Sequence, residues 1–476
     1  MNYFSRKALP KLDLQLCAAV RSAHAPITAY FASLAAAHYE NRGQVEQAIC
    51  EWRVAELLND ENTDSLACQA LLKSSNASDG DRLHAQQAWA RRHALGRGSA
   101  EAARFDAYDG QRRITIGYVC AWWDSATIKG QAIPFISLHD RSKFRVIGYA
   151  FEPCTNVITR HFDEFIVVGR LTHREFEVQV RKDKVDVLVE FTGFSPHHRF
   201  AAMGARCAPV QISYLNHTGT SGVPNVDYVI ADEVAAPPNL APHYTEEILR
   251  LPGTFFNFNY DWDDFPDAAP PPSLTAGHVT FGCFGSQSKI NDAQIYMWAK
   301  LLQAIPDARL FLRNRGLNAA ENRSFMARRF AQWGIDASRL RVEPGGDRYS
   351  ILQSYADVDI SLDTWPYNGG NTIAESLWQG VPVLTLLGDS FNSRYGASLL
   401  RASGLADLVA DDLDGLIALA RSLSSDRERL SHLRQELRQM MRQHGFSDSE
   451  RFCRAWEAAL RSAVLRAVGE SQNPVD

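Results

Sequence analysis

Two kinds of hydrophobic spacing alternate along the chain. The first 100 or so residues carry helical spacing without strand-like alternation and have almost no β-branched runs. From Arg113 the pattern changes to short apolar runs: Ile114–Cys120, Phe144–Ala150, Val185–Phe191, Val210–Leu215 and Val226–Ala231. Runs apolar on both faces, with room for a helix between them, predict a parallel sheet covered on two sides. The segment Asp261–Ser273, "DWDDFPDAAPPPS", sustains neither helix nor central strand and reads as an interdomain linker. The same grammar restarts in Val279–Phe284, Ala308–Leu312, Leu340–Glu343, Val358–Leu362 and Val381–Leu386, with helices over 292–305 and 322–333. From Asp412 to Ala467 the spacing is helical again, and Ser447 with Glu450 forms a capping-box signature for the last helix. The pattern predicts an all-helical region over 1–110, a first α/β domain over 111–262, and a second over 274–476 that includes the C-terminal helices. Two doubly wound domains joined by a Pro-rich hinge place a ligand between them, at the C-terminal ends of the strands.

Inside the helical region, Ala36, Tyr39, Gly43, Ala48, Trp52 and Ala55 fall at the spacing of a tetratricopeptide (TPR) helix pair. Because a solenoid needs about three such units to bury its faces, a short helical cap packed on the next domain is an equal reading. Over 476 residues, 45% are hydrophobic and 22% charged, which excludes disorder as the main state. A net charge of −5 offers no general attraction to nucleic acid or to an acidic membrane. The eight cysteines contain no CxxC pair and read as buried thiols of a reducing compartment. The first residues lack the apolar core of a signal peptide, and no run approaches the ~20 apolar residues of a membrane span. A cytoplasmic protein is expected.

No Walker A sequence, GxGxxG, HExxH or GxSxG occurs, so the chemistry those motifs carry lacks its signature here. His197–His198 has no spaced carboxylate or cysteine to complete a metal set and reads as a solvated loop. The most informative stretch runs from Val358 to Gly388. A buried strand ends at Asp363, the paired glycines Gly369 and Gly370 follow, and a helix begins near Asn371 and Thr372. Glycines let a ligand approach the backbone, and a helix N-terminus offers unpaired N–H groups to a pyrophosphate. Glu375, one turn in, suits the hydroxyls of a ribose. Asn371 or Thr372 as a plain N-cap, with Glu375 as its capping partner, explains the same residues equally well. Lys289 follows the first strand of this domain and could neutralise a leaving diphosphate in place of a metal. Arg348 is a second candidate for phosphate or base contacts.

Four blocks carry a family resemblance: "ITIGYV", "DVLVEFTGFSPHHRFAAMGARCAPVQISYLNHTGTSGVPNVDYVIAD", "FGSQSKINDAQIYMWAKLLQAIPDARLFL" and "LDTWPYNGGNTIAESLWQGVPVLTLLGDSFNSRYGASLL". The chain from about 112 to 465 resembles the catalytic region of the O-GlcNAc transferases, glycosyltransferase family 41, which also holds SPINDLY-type enzymes and bacterial protein N-glucosyltransferases. The resemblance implies a GT-B fold, two Rossmann-like domains facing a cleft. It implies inverting transfer of a sugar without cofactor or metal, from UDP-GlcNAc or UDP-glucose, to a protein Ser/Thr or Asn. Residue by residue, Lys289 matches the diphosphate lysine, Asn371 and Thr372 match part of the phosphate loop, and Glu375 matches the ribose-binding acid. Two family histidines are absent, Ala126 and Ile351 standing at their positions. For proton removal the sequence offers Asp124 and His217, on loops expected at the cleft rim, with Lys129 as a phosphate or acceptor contact; the donor's own phosphate is a further acceptor of that proton. A transferase-like scaffold without turnover, a glycan or small-molecule acceptor, and self-association through the N-terminal helices stay open.

Overall fold

The computed structural model describes residues 25–56, 60–96, 112–259, 265–444 and 446–472. Cys17, the rest of the first 24 residues and positions 261–264 of the expected linker lie outside them. Among the described residues the helical region holds two helix pairs: α1 (Ala25–Glu40) with α2 (Val45–Ala55), and α3 (Glu61–Lys73) with α4 (Asp79–His93). Small residues make the first pair close, Ala32, Ala36, Ala48 and Ala55 packing around Trp52. Asp60 caps α3 by accepting from Thr63 N at 2.9 Å, and Ser78 with Asp81 forms a capping box on α4. Both pairs lie on the α/β lobes as a cap. Leu95 N donates to Ala201 O at 2.9 Å, and Ser65 Oγ meets His198 Nε2 at 2.8 Å.

The first lobe is a seven-stranded parallel sheet. Its strands are β1 (Ile114–Cys120), β2 (Phe144–Ala150), β3 (Glu164–Val167), β4 (Val187–Glu190), β5 (Val210–Ser213), β6 (Tyr228–Ala231) and β7 (Glu247–Arg250), in the order β3-β2-β1-β4-β5-β6-β7. The second lobe has six: β8 (Thr280–Cys283), β9 (Arg309–Asn314), β10 (Leu340–Pro344), β11 (Ile360–Leu362), β12 (Val383–Leu386) and β13 (Val409–Ala410), in the order β10-β9-β8-β11-β12-β13. Every residue of β1 is buried, as expected for a strand covered on both faces. The chain order reverses between β1 and β4 and between β8 and β11, so each sheet opens a crevice at those strands' C-terminal ends. Helices α5 (Ala126–Gln131), α6 (Asp292–Ala304), α7 (Asn371–Trp378) and α8 (Phe391–Ala402) flank the crevices.

The tail forms α9 (Leu413–Ser425), α10 (Arg427–His444) and α11 (Ser449–Gln472). The expectation that all of it belongs to the second domain needs correcting for α11, which packs on the first lobe. Trp456 lies 4.8 Å from the Tyr214 ring and 5.3 Å from Phe135, and its Nε1 donates to Tyr118 Oη at 2.8 Å. Glu457 accepts from His139 Nδ1 at 3.0 Å and from Asp140 N at 2.8 Å. The cap of α11 also differs from the Ser447–Glu450 expectation: Asp448 accepts from Arg451 N at 2.9 Å, while Ser447 Oγ is buried without a hydrogen-bond partner. Among the described residues no helix is long and apolar enough to cross a membrane.

Candidate active site

The crevice between β8 and β11 opens into a pocket lined by Gly285, Tyr355, Asp363, Thr364 and Thr372 among others. One of its walls holds the two ends of the turn that joins Asp363 to α7. Asp363 Oδ1 accepts from the backbone N–H of Thr364 and of Gly369, each at 2.8 Å, and Oδ2 accepts from Thr385 Oγ1 at 2.7 Å. One carboxylate thus folds the turn back on the strand end. Both glycines are needed: a Cβ on Gly369 would lie 2.0 Å from Thr372 Oγ1, and one on Gly370 would lie 2.9 Å from the Tyr395 ring. Gly370 is the N-cap of α7 and supplies no side chain, so neither Asn371, Thr372 nor Glu375 acts as the cap. The plain-capping reading of these residues does not hold, and the first N–H groups of α7 stay available to an anion.

Asn371 spends its side chain across the cleft. Its Nδ2 donates to Thr127 Oγ1 at 3.1 Å, and its Oδ1 accepts from Gln131 Nε2, both residues of α5. Its backbone N–H remains for a ligand of the turn, as does the second N–H of its amide. Lys289 is half-buried against the same turn, with Nζ donating to Asn368 O at 2.8 Å and lying 4.2 Å from the centre of the Tyr367 ring. Burial drives the Lys289 ammonium down and the Asp363 carboxyl up from their ordinary values, and each charge opposes the shift of the other.

Arg348 turns to the acid on α7. It pairs with Glu375, Nη2 to Oε1 at 3.0 Å, and its guanidinium lies 5.4 Å from the Phe265 ring. Burial pushes the Glu375 carboxyl up to about 7, and Arg348 works in the opposite sense.

In the first lobe, Asp124 is open to solvent and pairs with Lys129 at 3.2 Å. His217 is sealed: 3% exposed, its Nε2 lies 2.5 Å from Thr220 O and its ring packs on Phe194 and Phe200. Burial pushes it down to about 4. The expectation that it stands at the cleft rim is corrected by residues distant in sequence, Gln86 of α4 among them, whose Nε2 lies 3.5 Å from the imidazole. His197–His198 is not one solvated loop either. His197 is exposed and stacks on Phe151 at 3.9 Å, whereas His198 is buried against Ser65. Sequence reasoning passed over Asp363, although an acid at a strand end before a Gly-Gly turn is the signal of a side chain that collects turn N–H groups. It also passed over Glu190 at the end of β4, fully buried, which accepts from Gly193 N at 2.8 Å and which burial pushes up to about 7.

Two parallel sheets facing a cleft, with a glycine turn, a free helix N-terminus and a half-buried lysine at the second sheet's switch point, define a GT-B architecture. The family model for glycosyl transferase family 41 matches residues 84–263 and 273–455. The probable UDP-N-acetylglucosamine–peptide N-acetylglucosaminyltransferase SPINDLY of Petunia hybrida is 31% identical over 367 residues, covering 75% of this chain and 39% of its own length. The protein of the same name from Arabidopsis thaliana is 32% identical over 363 residues, covering 74% of this chain and 40% of its own. A mutant of the O-GlcNAc transferase of Thermobaculum terrenum superposes with a TM-score of 0.87 at 32% identity, covering 96% of this chain and 87% of that one. The chain belongs to glycosyl transferase family 41, and it spans about two fifths of the length of the curated relatives it matches.

Proposed function

We propose that the protein transfers a sugar, GlcNAc or glucose, from a uridine diphosphate sugar to a Ser/Thr or Asn side chain of an acceptor protein. The observation that carries this reading is the half-buried Lys289 resting on the Asn368 carbonyl, beside an α7 N-terminus that no side chain caps. In this reading the departing diphosphate gains its charge between the ammonium and the N–H groups of Gly370, Asn371 and Thr372. Stabilisation by groups fixed in advance lowers the barrier without reorganisation, and it leaves no role that requires a metal. Glu375 accepts the ribose hydroxyls, with Arg348 holding its carboxylate in place. Asp124, reachable from solvent, takes the acceptor proton; His217, neutral and sealed, instead holds the Leu215–Gly222 loop. The names of the relatives, which are peptide N-acetylglucosaminyltransferases, support a sugar nucleotide and a polypeptide acceptor.

The test is donor consumption by the purified chain with labelled UDP-GlcNAc, UDP-glucose and GDP-fucose, alongside mass spectrometry of co-expressed proteins. Consumption of a uridine donor with a matching mass increment on protein is the expected result. Lys289→Ala should cut turnover by ~10²-fold or more, as loss of one preorganised donor does elsewhere. Binding without consumption would favour a transferase-like scaffold, which the absent histidines at Ala126 and Ile351 also suit.

A further inference from the structure

The helical cap reaches the phosphate turn through two asparagines of the second lobe. The carbonyls in the last turn of a helix have no donor within the helix. At the end of α3 these are met from outside: Leu72 O accepts from Asn392 Nδ2 at 2.8 Å, and Lys73 O accepts from Asn291 Nδ2 at 3.1 Å. Each amide then donates a second bond to the turn itself, Asn392 to Pro366 O at 2.9 Å and Asn291 to Trp365 O at 3.3 Å. Both side chains are buried, 2% and 4% exposed. An amide nitrogen carries two N–H groups, so one side chain can bridge two carbonyls where a carboxylate or an alkyl group cannot.

These bridges continue to the lysine. Asn392 O accepts from Asn368 N at 2.9 Å, and Asn368 O is the acceptor for Lys289 Nζ. Asn291 lies two residues after Lys289 and caps α6 through Gln294 N at 2.8 Å; Gln294 Oε1 in turn accepts from Trp365 N at 2.5 Å. The α1–α2 turn backs the same segment. Gly43 adopts φ +69°, and a Cβ there would lie 2.1 Å from Ile290 O. Arg329 fastens the two together, donating to Arg42 O at 3.2 Å and to Ile290 O at 3.0 Å.

We infer that Asn291 and Asn392 are positioning residues that make the C-terminal end of α3 a strut for the diphosphate-binding turn. The cap thereby fixes the Asn368 carbonyl under Lys289 and aims the turn's N–H groups into the pocket. This role rests on the reading that the turn takes the diphosphate of a nucleotide sugar.

The experiment compares the full-length chain with Asn291→Ala and Asn392→Ala by calorimetric titration of UDP and uridine, with GDP and guanosine in parallel, and records each variant's melting temperature. For the nucleotide that the wild type prefers, each variant should bind the diphosphate more weakly by about ten-fold or more, since each loses at least two buried hydrogen bonds that hold the turn. Affinity for the corresponding nucleoside should stay within about two-fold, since the strut acts on the phosphate turn alone. Gly43→Ala, which lifts the α1–α2 turn off Ile290 and leaves both amides intact, should give the same split and serves if an asparagine variant does not fold. Parallel losses of nucleotide and nucleoside, or no loss of either, would overturn the strut. A wild type that binds neither diphosphate would overturn the donor reading instead, before any variant is compared.

Discussion

At Glu375, burial and Arg348 act in opposite directions on one carboxyl group, and burial wins, raising it from 4.5 to about 7. A group raised in the native state binds more protons there than in the unfolded chain between those two values. Stability therefore falls as pH rises through that window, and ionised Glu375 costs the fold energy at pH 8. Glu375→Gln should raise stability at pH 8 by on the order of 2 kcal/mol while weakening nucleotide binding, and should change stability little near pH 4. Denaturant titrations at the two pH values check this; an equal change at both would show that the charge is not the cause. Lys289 and Glu375 were legible as site candidates because their positions follow from local rules, one just past a strand end and the other a turn into a helix. Arg348 was legible as a cation, but its pairing with Glu375 depends on how the short helix Arg348–Gln353 packs over α7. The sealing of His217 was not legible, because Gln86, Phe194 and Phe200 close over it from other elements.

At the scale of elements, the central strands announced themselves as continuous apolar runs, whereas β3, β7 and β13 did not. All three are sheet edges of two to four residues, and β3 is partly exposed throughout. A strand with one neighbour and one wet side needs no apolar run and gives no such signal. The helical spacing of α11 predicted a helix but not its destination. Its Trp456, fully buried among Tyr214, Phe135 and Phe452, fastens the last helix to the opposite lobe. Trp456→Ala should cost about 3–5 kcal/mol, the range for emptying a large aromatic site. Trp456→Phe keeps most of the packing but leaves Tyr118 without its donor, and should cost about 1–3 kcal/mol. Unfolding midpoints for the two variants separate packing from hydrogen bonding; losses of equal size would mean that the ring's bulk contributes little.

For the whole molecule, the seam between cap and first lobe stands apart in that two neutral buried histidines lie in it. His198 bonds Ser65 of α3 and is pushed down from 6.5 to about 3; His217, facing Gln86 of α4, is pushed down to about 4. The charged neighbours of His198 partly cancel: Glu61 at 3.8 Å favours its protonation, while His173 and Arg199 oppose it. With native values below the unfolded one, the unfolded chain takes up more protons as pH falls below 6.5. The stabilisation from keeping both rings neutral is complete above pH 6.5 and shrinks by up to about 1.4 kcal/mol per histidine for each unit of acidification in that window. Acid should therefore loosen the cap before it unfolds the lobes, because both of these rings belong to this seam, whereas His139, the buried histidine of the first lobe that burial also pushes down, keeps Glu457 as a partner that favours its protonation. Hydrogen exchange followed by mass spectrometry at pH 7.5 and pH 5.5 should show protection, corrected for intrinsic rates, falling first in α3 and α4. His198→Gln, which can still donate to Ser65 but takes up no proton, should reduce that fall. Uniform loss across β1, β4 and the cap would mean that the molecule opens as one unit and that the seam is not its acid-sensitive joint.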